Sequence, residues 1–396
     1  MFYLNKLFNL ISNLDIESIK VKSHLCTKIR SPHSQCQRCI KNCSQDAITI
    51  KQEVNISQEK CKKCGQCYNV CPVGVFVIQE SSDSKLISDA ENIANFDQEL
   101  VFSCQRVNLK RNMRKKEIKV NCLARLSEEI LISMFKFDFK YLLLKSGKCA
   151  ECELSGLNLI KESIKNSNNI LSLFNNKKRI WLNEIKDNQI PSYTLKSLIF
   201  NEEEIKRDGT KEYPTKANDE VINRRELFTF LKSEIKGSFI KDKQKSNRDN
   251  DDTELPINRR ILLSFIQQIS KNKLIKNTVK QSVFWDVKLS IECDFCGICA
   301  KLCPNSALKI IKEEEKKEVL FNPALCTGCK LCQDVCTLDA IQFSNQEKMR
   351  MVLNNEQISI LRGFKKKCLN CGDDFFATED ETVKCFGCSY QTKLMN

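Results

Sequence analysis

The run Cys61-Lys-Lys-Cys64-Gly-Gln-Cys67-Tyr-Asn-Val-Cys71-Pro72 constrains this chain more than any other stretch. Cysteines spaced two, two and three residues apart and closed by a proline form a cubane ligand run: three thiolates hold one iron–sulfur cubane and the fourth reaches a neighbouring one. Such a run calls for a second run close by. The chain supplies Cys26-x9-Cys36-x2-Cys39-x3-Cys43 upstream, then repeats the pair as Cys293-x2-Cys296-x2-Cys299-x3-Cys303-Pro304 and Cys326-x2-Cys329-x2-Cys332-x3-Cys336. Two looser quartets, Cys104, Cys122, Cys149, Cys152 and Cys368, Cys371, Cys385, Cys388, complete the 24 cysteines.

A chain of 396 residues should hold two to four domains, and with 41% hydrophobic residues, cysteines included, their cores must be small. Metal sites then contribute folding free energy that packing does not. So many cysteines also fit a disulfide scaffold, but C-x2-C pairs suit chelation better than long cross-links. Met1 to Ile16 lacks the continuous apolar core and cleavage site of a signal peptide, and Met1, Leu4, Phe8, Ile11 and Leu14 predict a short amphipathic helix. No stretch reaches the length of a membrane span, so a reducing cytoplasm is expected. The net charge of +14 shows no basic stripe with interleaved aromatics, which argues for compositional bias or an acidic protein partner before nucleic acid.

In the first module, residues 17–80, the short apolar strand Ala47-Ile-Thr-Ile50 follows one cysteine run and Gly74-Val-Phe-Val-Ile78 follows the other. This internal repeat resembles the two-cluster bacterial ferredoxin. The resemblance implies crossed ligation: Cys61, Cys64, Cys67 and Cys43 around one 4Fe-4S cluster, and Cys36, Cys39, Cys71 and one more group around another. His33 stands where the family has its first cysteine, so that last ligand is Cys26 on a loop insertion, or else His33. Cys43 is followed by Ser44 instead of proline. The same crossed rule in a second module, residues 286–348, implies one cluster on Cys293, Cys296, Cys299 and Cys336 and one on Cys326, Cys329, Cys332 and Cys303.

Residues 81–98 are polar and acidic and read as a linker. Beyond them, Val101–Cys104, Ile118–Cys122, Tyr141–Leu144 and Arg179–Leu182 read as strands, alternating with helices over Leu126–Phe137 and Leu157–Phe174. This alternation predicts an α/β domain, residues 99–200, with a small parallel sheet. Cys104, Cys122, Cys149 and Cys152 all fall at or past the carboxyl ends of its strands, where sites collect. They suit a 2Fe-2S cluster, a zinc ion or a redox-active pair. Asn121-Cys122-Leu-Ala-Arg125 and Gly147-Lys-Cys149-Ala-Glu-Cys152 are similar to the iron–sulfur delta subunit of methyl-viologen-reducing hydrogenases, which implies electron delivery to a heterodisulfide reductase.

Residues 201–285 read as a helical and flexible linker region. Asn223-Arg-Arg-Glu-Leu-Phe228 and Asn258-Arg-Arg-Ile-Leu-Leu263 are expected as solvated helix starts, and Lys241 to Glu254 as a flexible connector. At residues 362–396 the two C-terminal knuckles have the layout of a zinc ribbon, whose ligands also suit a rubredoxin-type iron. The fold class expected is multidomain α+β. The function expected is a multi-cluster electron relay subunit of an anaerobic oxidoreductase, with four 4Fe-4S clusters, a possible 2Fe-2S cluster, one zinc or iron, and protein redox partners carrying a flavin or metal. A thiol/disulfide reductase using the middle quartet, or a redox sensor, are the competing readings. No glycine-rich dinucleotide or phosphate loop is present, so no catalytic residue is assigned.

Overall fold

The computed structural model describes residues 19–79, 82–108, 115–173, 179–184, 255–270, 283–345, 349–378 and 383–389. The chain divides into two units, Met1–Asn188 with Thr253–Asn396, and Gln189–Asp252. Every described residue belongs to the first unit, so the helix expected over Met1–Ile16, the Asn223 segment and the connector at 241–254 lie outside the described residues.

Both dicluster modules have the same plan of two short antiparallel strand pairs. In the first, Ile19–Val21 pairs with Phe76–Ile78, and Ile48–Ile50 with Val54–Ile56. In the second, Trp285–Leu289 pairs with Ile341–Asn345, and Leu308–Lys312 with Lys316–Phe321. The two strands expected in the first module form, each with a partner the spacing did not reveal. Thiols occupy core positions beside the apolar side chains: Cys26, Cys39 and Cys67 are buried with Leu25, Tyr68, Val75 and Phe76. In a module this small, sulfur ligands stand where larger domains have leucine and valine.

The middle domain carries the expected parallel sheet, in the order Glu117–Val120, Glu99–Cys104, Tyr141–Ser146, Arg179–Glu184. Its central strands are continuous apolar runs because both faces are covered, and Leu100, Phe102, Leu142 and Leu144 are completely buried. The helices Glu128–Ser133 and Leu157–Ser172 pack together beside it.

Three expectations need correction. The polar segment 81–98 contains the helix Asp83–Ala94, capped by Ser82 Oγ, which accepts from the Lys85 amide. Its Leu86, Ile87, Ala90 and Ile93 are buried, a helical stripe that polar composition concealed. The second Asn-Arg-Arg segment is no solvated helix start. The helix Ile257–Ser270 begins one residue before Asn258 and packs on Glu128–Ser133 and on Met349–Leu353, with Arg259, Leu262, Phe265 and Ile266 buried. Finally, the C-terminal knuckles are not separate from the second module. Lys316–Phe321 pairs onward with Ile358–Lys367, which crosses the expected boundary at 362 and pairs with Asp374–Ala377.

Candidate metal centres

All 24 cysteines are free thiols. Short helices and turns carry them inward. Gly65 and Gly297 take positive φ, 78° and 82°, at the starts of the helices Gln66–Val70 and Ile298–Leu302 that bring in Cys67 and Cys299.

The structure brings the thiols together in sets. Burial, followed by the charges of Cys71, Cys26 and Cys36, pushes Cys39 up to about 12. Cys71 is likewise pushed to about 11, chiefly by burial, and it too feels Cys26 and Cys36. Cys26 is buried at the end of the turn Ser23–Leu25, whereas His33 is exposed and donates its backbone amide to Ser31 Oγ. Cys64 is raised by burial and by Cys43 and Cys61, and Cys67 by burial, Cys64 and Cys61.

In the second module, Cys293, Cys296, Cys299 and Cys336 line one cavity with about 530 Å³ of empty space, and Cys303, Cys326, Cys329 and Cys332 line another of about 340 Å³. Cys104, Cys122, Cys149 and Cys152 line a third of about 410 Å³. These four come from the ends of three strands, span 49 residues of sequence from Cys104 to Cys152, and meet as the parallel sheet requires. Backbone amides point at several sulfurs: Ala47 N to Cys43, Val75 N to Cys71, Ala307 N to Cys303 and Gly147 N to Cys104, at 3.2–3.4 Å. Such bonds favour the thiolate over the thiol and tune a bound cluster.

The C-terminal set differs. The ligand atoms of Cys368, Cys371, Cys385 and Cys388 lie within 4.8 Å of one another, with Cys371 Sγ and Cys385 Sγ 3.8 Å apart. Amides of Cys371 and Cys385 hold the Cys368 thiol down to about 6. Tetrahedral coordination with metal–sulfur bonds near 2.3 Å places sulfurs about 3.8 Å apart, so this set fits a single ion.

The sets also adjoin one another. Cys122 of the middle set feels the charge of Cys64, Cys67 that of Cys39, and Cys332 that of Cys299. Between the modules, Arg38 Nη2 donates to the Gly328 carbonyl at 2.9 Å, and the Gln35 amide donates to Asp334 at 3.0 Å; burial raises neighbouring Cys329 to about 12, and the Arg38 charge offsets only a small part of that. Cys329 itself packs against the first module's core.

Sequence reasoning missed the polar groups that join the units. Buried Asp83 accepts from Arg125 Nη2 at 3.0 Å and from the Tyr68 hydroxyl, linking the helix Asp83–Ala94, the middle domain and the first module. Arg259, 1% exposed, donates to the carbonyls of Val283, Ala324 and Cys326 at 2.8–3.0 Å and lies 4.2 Å over the Phe284 ring. One signal for Arg259 was available: positions 259, 262 and 266 share a helix face with buried Leu262 and Ile266.

Residues 34–75 and 292–340 each match the 4Fe-4S dicluster domain. A search of curated proteins returns no match. The two matched segments contain the four C-x2-C-x2-C and C-x2-C-x3-C runs of the dicluster modules, Cys26 excepted, and they make the chain an iron–sulfur electron-transfer protein with 4Fe-4S clusters and protein redox partners. Among the described residues no helix is long and apolar enough to cross a membrane.

Proposed function

We propose that this iron–sulfur electron-transfer protein is a multi-cluster relay subunit of a cytoplasmic anaerobic oxidoreductase. The observation that carries the reading is the single file of thiol sets: 104/122/149/152, then 43/61/64/67, then 26/36/39/71, then 303/326/329/332, then 293/296/299/336. At three of the four junctions the sets are near enough for the charge of one thiolate to act on the next, and at the fourth Arg38 and Cys329 bridge the two modules. The donor sets fit cubanes: four thiols each, with backbone amides aimed at Cys43, Cys71, Cys104 and Cys303. Bound there, cubanes supply one-electron chemistry with little ligand movement. The chain's part is placement and insulation, with Cys26 rather than exposed His33 completing the first upstream set. The middle set is one end of the file, so the middle domain is a terminus and not a bridge between the modules.

A flavin or metal-containing partner subunit would meet the file at its ends. At the far end Cys296 is exposed beside exposed Ile298. The C-terminal set, with sulfurs at single-ion spacing, is read as a structural zinc that secures the hairpin of Ile358–Lys367 and Asp374–Ala377. The reductase reading has no observation of its own, because the thiols it would use are the four that line one site as a ligand set.

The test is anaerobic purification with iron, sulfide and zinc quantification and EPR during a reductive titration. At least about 16 iron atoms from four cubanes and about one zinc are expected per chain, with spin coupling between neighbouring reduced clusters. Iron near half that amount refutes the two-module relay.

A further inference from the structure

We propose that Gln66 is a positioning residue joining the middle domain to the nearest cubane: its carboxamide, anchored on the Leu154 carbonyl, donates to Cys64 of the 43/61/64/67 set and holds that cluster's potential up. The inference rests on the relay reading's assignment of this set to a cubane. The set lies wholly within the matched segment 34–75, and the inference is independent of what the middle set holds.

The chain places Gln66 between two ligands of one cluster, Cys64 and Cys67, as the first residue of the helix Gln66–Val70. A glutamine gives up much side-chain freedom when buried and is usually found in solvent. Gln66 is only 3% exposed. A Cβ on Gly65 before it would come 2.8 Å from Arg125 Cγ, so the loop carrying the ligands presses closely on the middle domain. Gln66 Nε2 then donates to the carbonyl of Leu154, two residues past Cys152. Because that partner is an acceptor, the nitrogen of the carboxamide is the end that faces the middle domain. Leu154, Gly156 and Cys122 line one cavity there. A Cβ on Gly156 would lie 3.5 Å from Gln66 Nε2 and 3.1 Å from Cys122 Sγ, so both atoms crowd the space that one methyl group would fill. A residue without a side chain at 156 is what lets Gln66 reach this wall.

A carboxamide nitrogen carries two hydrogens, and Leu154 takes one. The other is available to sulfur, and hydrogen bonding from the Gln66 side chain favours the Cys64 thiolate. Reduction adds negative charge to a cubane and its sulfurs, so a donor stabilises the reduced state more than the oxidised one. The neighbouring amides do a different job. Asn69 Nδ2 donates to the Ala124 carbonyl at 2.8 Å, and Asn121 Nδ2 to the Lys63 carbonyl at 3.0 Å. Those bonds fasten backbone to backbone, whereas Gln66 meets a ligand sulfur and the middle wall with one group.

The experiment uses the full holo-chain as wild type, Gln66→Met and Gln66→Glu, purified without oxygen and titrated reductively with EPR detection. Methionine keeps the length and loses the donor, while glutamate keeps the shape and puts a charged acceptor in the donor's place. In Gln66→Met one cubane wave should move to lower potential by about tenfold in its reduced-to-oxidised ratio, or about 59 mV for one electron, with iron content and the other waves unchanged. Gln66→Glu should move the same wave further, since a carboxylate opposes added negative charge. That order separates a donor from a space-filler: equal shifts in the two variants, several waves moving together, or no shift at all each overturn the proposal. If the variants fail to hold their clusters, hyperfine spectroscopy of reduced wild type carrying glutamine isotopically labelled at its side-chain nitrogen decides. A nitrogen coupling at one cluster supports the donor, and its absence refutes it. Wild type without cubane signals overturns the relay reading itself, and the donor role falls with it.

Discussion

Replacing Arg259 with methionine should loosen the second module around Cys326 without touching a ligand. The guanidinium donates to Ala324, Val283 and Cys326 carbonyls at 3.0, 3.0 and 2.8 Å. Methionine fills much of the same space but strands three buried acceptors, at about 1–3 kcal/mol each, or roughly 6 kcal/mol together. Against this, the variant no longer buries a charge. Burial pulls Arg259 from 12.5 to about 10, and at 1.36 kcal/mol per pH unit that penalty is about 3 kcal/mol. The net loss is then about 3 kcal/mol, felt locally because the bonds join one helix to the loop at 324–326 and to Val283, just before Trp285–Leu289. A multidomain chain with bound clusters does not unfold in two states, so a global midpoint is the wrong measure. Hydrogen exchange reads the local cost: amides over 324–328 should lose protection by about a hundredfold, while the sheet of the middle domain is unaffected. Arg259→Lys keeps the charge over Phe284 but loses the planar fork, so it should recover only part of the protection. Protection in the methionine variant within about threefold of wild type would refute the view that Arg259 clamps this loop.

Cys26→Ser should abolish the EPR signal of one cubane or convert it to a three-iron species, while His33→Ala leaves the spectrum unchanged; the reverse result assigns the fourth ligand to His33. Gly328→Ala places a Cβ against the Trp285 indole at a positive φ of 64°, and should cost about 1–3 kcal/mol of local stability, seen as a shift in tryptophan emission and faster cluster loss. Unchanged emission would mean that the loop accommodates the methyl group. Removing the metal proposed for the C-terminal set with a chelator should raise exchange across Asp374–Ala377 and leave the reductive titration untouched; a change in cluster potentials would give that site a redox role.

The cysteine runs that the dicluster domain matches were legible in the sequence because chelation is local: three thiols within seven residues converge wherever the run folds. The parallel sheet was legible for a similar reason, since Leu100 to Phe102 and Leu142 to Leu144 are apolar runs that only a sheet covered on both faces accommodates. What lay beyond the sequence was set by contacts across long separations. No spacing rule places Arg38 at Gly328, 290 residues away. Nor does local pattern show that Phe76–Ile78 pairs with Ile19–Val21, because a three-residue strand has too few side chains to announce its partner. The helix Asp83–Ala94 was hidden by averaging: its polar residues dominate composition while four apolar positions do the packing.

The joints between the units are polar where the units themselves are held by sulfur and small apolar cores. Asp83 and Arg125 are 4% and 3% exposed, and Arg259 is 1% exposed. A buried ion pair contributes little net stability against an apolar contact of equal volume, but it tolerates almost no displacement, because a shift of an ångström or two leaves a charge without its partner. An apolar joint slides at lower cost. Cys122 feels Cys64 across the joint that Asp83, Arg125 and Tyr68 secure. Cys329 meets the first module across the joint that Arg38 secures, in a loop whose base Arg259 clamps. Distance between redox sites governs transfer more steeply than it governs stability. Joints that fix position at some expense in free energy suit a chain of fixed sites, and the buried Asp83–Arg125 pair, at the joint between Cys64 and Cys122, is the clearest of them.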